Sequence, residues 1–170
     1  QAKFKLSKDF SSLEIIGSDF NLLALKKLLD ILKVLDEKKH INKLDIIGNF
    51  DTSLLMQDIF QKKNKNEIDE LLHLLQSITK KIEDSNIKFT AFINGITQGP
   101  ALEIALSCNF IKARTDTKLN FNFTDNGQIP FFGSVQRLIK ILGYKNSLQT
   151  LLIDKNINYE AACKMKIINN

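Results

Sequence analysis

The stretch FTAFINGITQGPALEIALSCN, residues 89–109, decides the fold of this 170-residue chain. Residues 89–93 are an apolar run that predicts a buried strand, and the strand ends at the turn-forming pair Asn94-Gly95. Pro100 then begins a helical segment, where its missing backbone N–H costs nothing because the first N–H groups of a helix have no partner within it. The stretch therefore predicts a strand, a turn and a helix, the order found in α/β proteins.

Periodic apolar residues predict the elements on either side of this stretch. Two amphipathic helices are predicted at 20–35, with Asp19 as the N-cap, and at 67–82. Strands are predicted at 4–6 and 13–16, which together suggest an initial β-hairpin, and at 44–47, 110–113 and 119–123. Further helices are predicted at 134–142, 145–153 and 159–165. Because strands alternate with helices through the middle of the chain, we expect one α/β domain with parallel strand pairing over residues 1–170.

The net charge of +5 does not by itself indicate a nucleic-acid partner. The lysines are scattered along the sequence and aromatic residues do not interleave with them, so no nucleic acid is expected. The densest basic run is Lys62-Lys63-Asn64-Lys65. It is interpreted either as a solvated loop or as a segment that attracts an anionic ligand such as a nucleotide phosphate.

Apolar runs are short, and metal-binding patterns are lacking. Charged or amide residues interrupt every apolar run well before the ~20 residues needed to span a bilayer, so a soluble, cytoplasmic protein without a membrane span is expected. Cys108 and Cys163 are far apart, and only two histidines, His40 and His73, accompany them. The sequence therefore predicts neither a metal site nor a disulfide, and Cys108 reads as a small core residue.

Three ordered motifs resemble the crotonase (enoyl-CoA hydratase/isomerase) superfamily. Residues 89–109 resemble its signature of a strand ending in Asn-Gly, a glycine run and a helix bearing Glu-Leu-Ala. Residues 129–138, IPFFGSVQRL, resemble its Ile-Pro, Gly-rich, Thr-Gln-Arg-Leu motif. The tail from Gly143 to Ile168 resembles the order of its last motifs, which are a glycine, an Ala-rich helix, a leucine pair, Ala-Ala and Gly-Leu-Val. Residues 116–119 are similar to the hydratase domain of bifunctional fatty-acid β-oxidation α-subunits. The resemblance implies a ClpP/crotonase spiral of ββα units, truncated at the C-terminus, as in the N-terminal part of a longer protein.

The resemblance also implies an oxyanion hole made of two backbone N–H groups, placed where a thioester becomes an enolate. The first donor position falls on Leu54, where bulky leucines replace small residues. The second falls on Pro100, which has no N–H, so this half of the hole is lost. A shift in loop register would let the N–H of Ala101 serve instead.

Of the two glutamates that family hydratases use, the resemblance places the first at Glu103. In the functional interpretation, Glu103 is a general acid/base that holds water over the substrate double bond. Its structural reading is a first-turn glutamate that complements the helix dipole. Phe123 occupies the place of the second acid and cannot transfer a proton, while Asp125 is displaced along the chain.

Three functions remain open. The first is a crotonase-like acyl-CoA-binding or assembly domain with weak or no catalysis, which accounts for Pro100, Phe123 and the bulky pair Phe131-Phe132 together. The second is a working enoyl-CoA hydratase or isomerase that uses Glu103, and the third is an unrelated basic binding protein. The first two readings need no cofactor beyond a coenzyme A thioester as substrate or ligand. They imply a homotrimer or a partner in a β-oxidation complex.

Overall fold

A computed structural model describes residues 1–54, 65–121, 133–153 and 156–170. The largest sheet has five strands in the order β1-β2-β4-β6-β8. Strand β1 pairs antiparallel with β2, and each later pair in this sheet is parallel. Its strands are β1 Lys3–Leu6, β2 Ser12–Ile16, β4 Lys43–Gly48, β6 Lys88–Ile93 and β8 Phe110–Ala113. The predicted hairpin and the predicted parallel α/β sheet are both confirmed.

Two smaller sheets stand beside the large one. The first has the order β10-β9-β7, from Asn156–Asn158, Lys118–Asn120 and Ile96–Gln98. The second pairs β3, Asp19–Phe20, with β5, Ser53–Leu54, in parallel. Neither β7 nor β10 was predicted, because a three-residue strand gives no periodic signal and forms only by pairing with β9. The predicted strand at 119–123 ends at Asn120 in the structure, and residues 122 and 123 lie outside the described part.

Six helices are described, and most follow the apolar periodicity. They are α1 Leu22–Glu37, α2 Lys65–Asp84, α3 Gly99–Ser107, α4 Ser134–Leu142, α5 Tyr144–Leu152 and α6 Tyr159–Lys164. Asp19 is not the N-cap of α1, which is a correction: Phe20 is drawn into β3 opposite Leu54, and the helix begins two residues later. The side chain of Asn21 caps it instead, accepting from the N–H of Ala24 at 2.9 Å.

The core lies between the large sheet and helices α1, α2 and α3. One face of each central strand is buried, as shown by Leu13, Ile15, Leu44 and Ile46, and the helices contribute a leucine-rich set of side chains. None of the helices in the described ranges is long and apolar enough to cross a membrane. Helix α3 is buried on all sides, since every residue from Pro100 to Ser107 is buried, and it therefore sits at the centre of the molecule.

Candidate active site

The N-terminus of α3 meets the loop that follows β4. Gln98 is the residue before the helix, and its own side chain does not cap the first turn. Gly99 has φ +67°, and a Cβ built on it would lie 2.1 Å from the carbonyl oxygen of Thr52. Only glycine permits this conformation together with so close an approach. The loop after β4 therefore lies directly against the start of α3.

Thr52 caps α3 from this loop. Its Oγ1 accepts a hydrogen bond from the N–H of Ala101 at 3.0 Å and donates one to the carbonyl oxygen of Gln98 at 2.8 Å. Thr52 is 3% exposed and Ala101 is fully buried. An N-cap hydroxyl normally comes from the residue just before a helix. Here it comes from a residue 49 positions earlier in the chain.

A row of polar side chains continues from this cap. The Gln98 amide donates to Asp51 Oδ1 at 2.7 Å, and the Asn120 amide donates to Gln98 Oε1 at 2.9 Å. Asn49 closes the row, since its Oδ1 accepts from the N–H of Asp51 at 3.0 Å. These bonds join the loop after β4, the end of β7 and the end of β9. Sequence reasoning missed all of these residues, because the bonds join segments that are remote in sequence.

The predicted site residues that the structure describes lie on α3 and β5. Pro100 lies in the first turn of α3, as predicted, and Glu103 lies one turn further along and is 2% exposed. Residues three apart share a helix face, so both lie on one side of α3. Leu54 belongs to β5, where it pairs with Phe20. Phe123, Asp125, Phe131 and Phe132 lie outside the described residues, as do Lys62, Lys63 and Asn64 of the basic run.

Glu103 does not lie in the first turn of α3, where the structural interpretation expected it. The first turn of α3 contains no acidic residue, and Glu103 is the fifth residue of the helix. The helix dipole acts mainly on charges within the first turn, so it does not account for a glutamate one turn deeper.

Arg137 holds two helices together. Its Nε lies 2.6 Å from Glu83 Oε1, joining α4 to α2, and Arg137 is 7% exposed. This agrees with a structural arginine. The ion pair lines a surface groove of about 480 Å³ that also includes Cys108 and Lys140. Burial raises the pKa of the Cys108 thiol, whose Sγ lies 3.3 Å from the carbonyl oxygen of Ile104, so the reactive thiolate form is disfavoured.

A second groove of about 620 Å³ lies between α4, α5 and α6, and its lining includes Gln149 and Ile157. Neither of these two grooves is lined by Pro100 or Glu103. No group of three or more metal-binding side chains occurs within the residues that the structure describes.

The parallel sheet, the smaller sheets beside it and the buried helix that carries Pro100 and Glu103 define an α/β protein with the crotonase fold. The model of the family "Enoyl-CoA hydratase/isomerase" matches residues 50–170, and the chain belongs to this family. The predicted family and fold are thus confirmed.

Individual relatives agree with this assignment. The fatty acid oxidation complex subunit alpha of Aliivibrio fischeri is 27% identical over an alignment of 168 residues, and the match covers 93% of this chain and 24% of that protein. The chain thus spans about a quarter of the length of that curated relative. The crystal structure of an enoyl-CoA hydratase from Bacillus halodurans has a TM-score of 0.83 and 21% identity, covering 98% of this chain and 71% of that one. That of an enoyl-CoA hydratase from Thermoplasma volcanium has a TM-score of 0.82 and 18% identity, covering 99% and 70%.

Proposed function

We propose that this chain is a single crotonase-fold domain over residues 1–170 that binds an acyl-CoA or takes part in an assembly, with little or no catalytic activity. One observation carries the proposal. The N–H of Ala101 is bonded at 3.0 Å to the hydroxyl of Thr52, beside a proline that has no N–H. At the start of α3, Pro100 therefore has no N–H to donate to an oxyanion, and the N–H of Ala101, its nearest substitute, is already hydrogen-bonded.

The energetic consequence is large. An oxyanion hole works because its donors are already aimed at the place where negative charge develops, and losing one donor costs about 10²- to 10³-fold in rate. For Ala101 to replace Pro100, its N–H would first have to leave Thr52, a hydrogen bond made in a buried position. The replacement of the second acid by Phe123 adds a further loss, since phenylalanine carries no proton to transfer.

Family membership supports a coenzyme A thioester as the ligand, with no metal or other cofactor. The relative from Aliivibrio fischeri is a subunit of a fatty acid oxidation complex, which supports a role beside the enzymes of β-oxidation. On this proposal the domain works in the cytoplasm, as a homotrimer or as part of such a complex. Sedimentation velocity of the purified chain tests the oligomeric part, because a monomer at micromolar concentration would contradict the homotrimer.

The alternative function is a working enoyl-CoA hydratase or isomerase that uses Glu103. It is favoured by the placement of Glu103 one turn after Pro100, on the same face of α3 and beyond the first turn on which the helix dipole mainly acts. In this alternative Glu103 holds a water molecule and exchanges protons with it. The oxyanion would then depend on a donor outside the first turn of α3.

Calorimetric titration with crotonyl-CoA, run on the wild type and on Pro100→Ala, tests the proposal. Alanine restores an N–H at position 100 and keeps the helix propensity high. We expect the wild type to bind measurably and Pro100→Ala to bind the thioester at least about tenfold more tightly, with unchanged affinity for free coenzyme A. No binding by the wild type would contradict the ligand half of the proposal. Equal thioester affinity in the two proteins would show that position 100 does not face the thioester.

A further inference from the structure

Lysines that are scattered along the sequence come together on one face of the five-stranded sheet. Alternate residues of a strand point to opposite faces, so the residues between the buried ones form the outer face. This face carries two acidic residues, Glu14 and Asp45, against five exposed lysines. The lysines are Lys3, Lys5, Lys43, Lys88 and Lys112. The outer face therefore has a surplus of positive charge.

The surplus is densest on strands β4, β6 and β8, where two phenylalanines are also exposed. We call this area the sheet platform, and it consists of Lys43, Lys88, Phe92, Phe110 and Lys112. Phe92 is 38% exposed and Phe110 is 49% exposed, although both are large apolar side chains. Neither side chain is needed for the core, which lies on the other face of the same strands.

The strand register sets the spacing within the platform. Lys43 lies directly opposite Lys88, and Phe92 lies directly opposite Lys112. Phe110 pairs with Thr90, two residues before Phe92, which makes the two phenylalanines diagonal neighbours about 7–8 Å apart. The Nζ of Lys112 lies 5.9 Å from the centre of the Phe92 ring. Lys112 also lies two residues after Phe110 on the same face of β8, so a lysine borders each of the two aromatic residues.

The pairing of Lys43 with Lys88 is unfavourable in isolation. Like charges opposite each other on neighbouring strands destabilise a sheet. Within the described part of the chain, the ion pairs that are present involve neither lysine. A bound anion between the two ammonium groups would remove the repulsion. The platform therefore combines a place for negative charge with two surfaces on which planar rings can stack.

We propose that the sheet platform binds single-stranded nucleic acid, with bases stacked on Phe92 and Phe110 and phosphates beside the lysines. Aromatic side chains on an open sheet, bordered by basic residues, are a recurrent solution for binding unpaired bases. An acidic peptide would use the lysines but has no need of two exposed rings. A membrane surface is disfavoured because it would cover the whole face, including Glu14 and Asp45. A single strand can instead follow β6 and β8, whose outer face carries Lys88 and Lys112 and no acidic residue. The sequence predicts no nucleic acid, because its lysines are scattered along the chain and no aromatic residues interleave with them. Strand pairing brings lysines and phenylalanines together on one face, so that reason no longer holds.

Fluorescence anisotropy with a labelled 20-nucleotide oligouridylate and with the matching oligodeoxythymidylate tests the proposal on the 170-residue chain. We expect saturable binding whose logarithmic affinity falls linearly with the logarithm of salt concentration. The Phe92→Ala and Phe110→Ala variants should each bind at least about fivefold more weakly. Lys88→Gln should weaken binding and reduce the salt slope by about 0.7. Tighter binding to one oligomer identifies RNA or DNA as the preferred ligand.

Matched variants away from the platform serve as controls. Tyr144 is 67% exposed on α5, and Lys145 beside it is also exposed, so Tyr144→Ala and Lys145→Gln remove an aromatic ring and a charge elsewhere. These variants should leave binding within about twofold of the wild type. The proposal is overturned if the platform and control variants bind alike. It is also overturned if polyglutamate or phosphatidylserine vesicles compete as well as the unlabelled oligomer, or if the phenylalanine variants bind as tightly as the wild type.

Discussion

Replacing Thr52 by valine tests the contact that closes the start of α3. Valine keeps the shape of threonine but loses the hydroxyl, which accepts from Ala101 at 3.0 Å and donates to Gln98 at 2.8 Å. The Gln98 carbonyl keeps a weaker bond, from the Thr52 N–H at 3.4 Å. The Ala101 N–H is fully buried and belongs to the first turn of its helix, so it has no replacement within α3.

The expected loss of stability follows from the two hydrogen bonds that valine cannot make. A buried donor left without a partner costs about 1–3 kcal/mol, and the lost bond to the carbonyl adds about 0.5–1.5 kcal/mol. The two contributions add to about 1.5–4.5 kcal/mol, so we expect Thr52→Val to lower the free energy of unfolding by that amount. For a chain of this size each kcal/mol shifts Tm by about 2–4 °C, which gives a fall of about 3–18 °C.

Circular dichroism during thermal and urea unfolding gives both quantities. Thr52→Ser is the control, because serine keeps the hydroxyl and loses only a methyl group, which should cost less than about 1.5 kcal/mol. If Thr52→Val is as stable as the wild type, the hydroxyl does not cap α3 and the argument about Ala101 fails. A serine variant as unstable as the valine variant would point to packing as the source of the effect.

Three further predictions concern other parts of the molecule. Glu83→Gln should lower the free energy of unfolding by about 1–2 kcal/mol in urea titrations, because it removes the negative charge that faces the buried Arg137 guanidinium at 2.6 Å. Cys108 is partly buried and burial raises its pKa, so it should react with a thiol reagent more slowly in the folded protein than in urea; equal labelling rates in the two states would contradict this. Hydrogen bonding, mainly from the Ser7 side chain, lowers the pKa of Asp9 to about 2, so its small stabilising contribution is present above pH ~4 and fades as pH falls towards 2. Carboxyl NMR titration should show this value, and Ser7→Ala should raise it.

Local sequence signals predicted much of the fold. The apolar run that ends at Asn94-Gly95 became β6, and the leucine spacing of residues 20–35 became most of α1. The signals failed where pairing between remote segments decides the structure. Phe20 joined β3 because Leu54 offers a parallel partner, and Ile96–Gln98 became a strand because β9 lies beside it. No local pattern marks either event.

The sequence predicted some features of the candidate site, and others became visible only in the fold. The missing N–H of Pro100 could be read from the sequence, because it is a covalent property of the residue. The occupied N–H of Ala101 could not, because the hydroxyl that occupies it lies 49 residues away. The motif puts Glu103 in the predicted helix, but its depth in the helix and its burial came from the structure. Sequence spacing thus identifies which groups are present, and the fold decides which of them remain available.

The most direct test of the central claim is the rate at which crotonyl-CoA loses its conjugated-thioester absorbance at high protein concentration. The wild type is run beside Glu103→Gln, which removes the candidate acid and keeps nearly the same shape. An oxyanion hole without its donors at the start of α3 predicts that the two proteins give the same rate, no faster than buffer. Turnover by the wild type that disappears in Glu103→Gln would contradict the account, and would establish a hydratase that finds its oxyanion donors elsewhere.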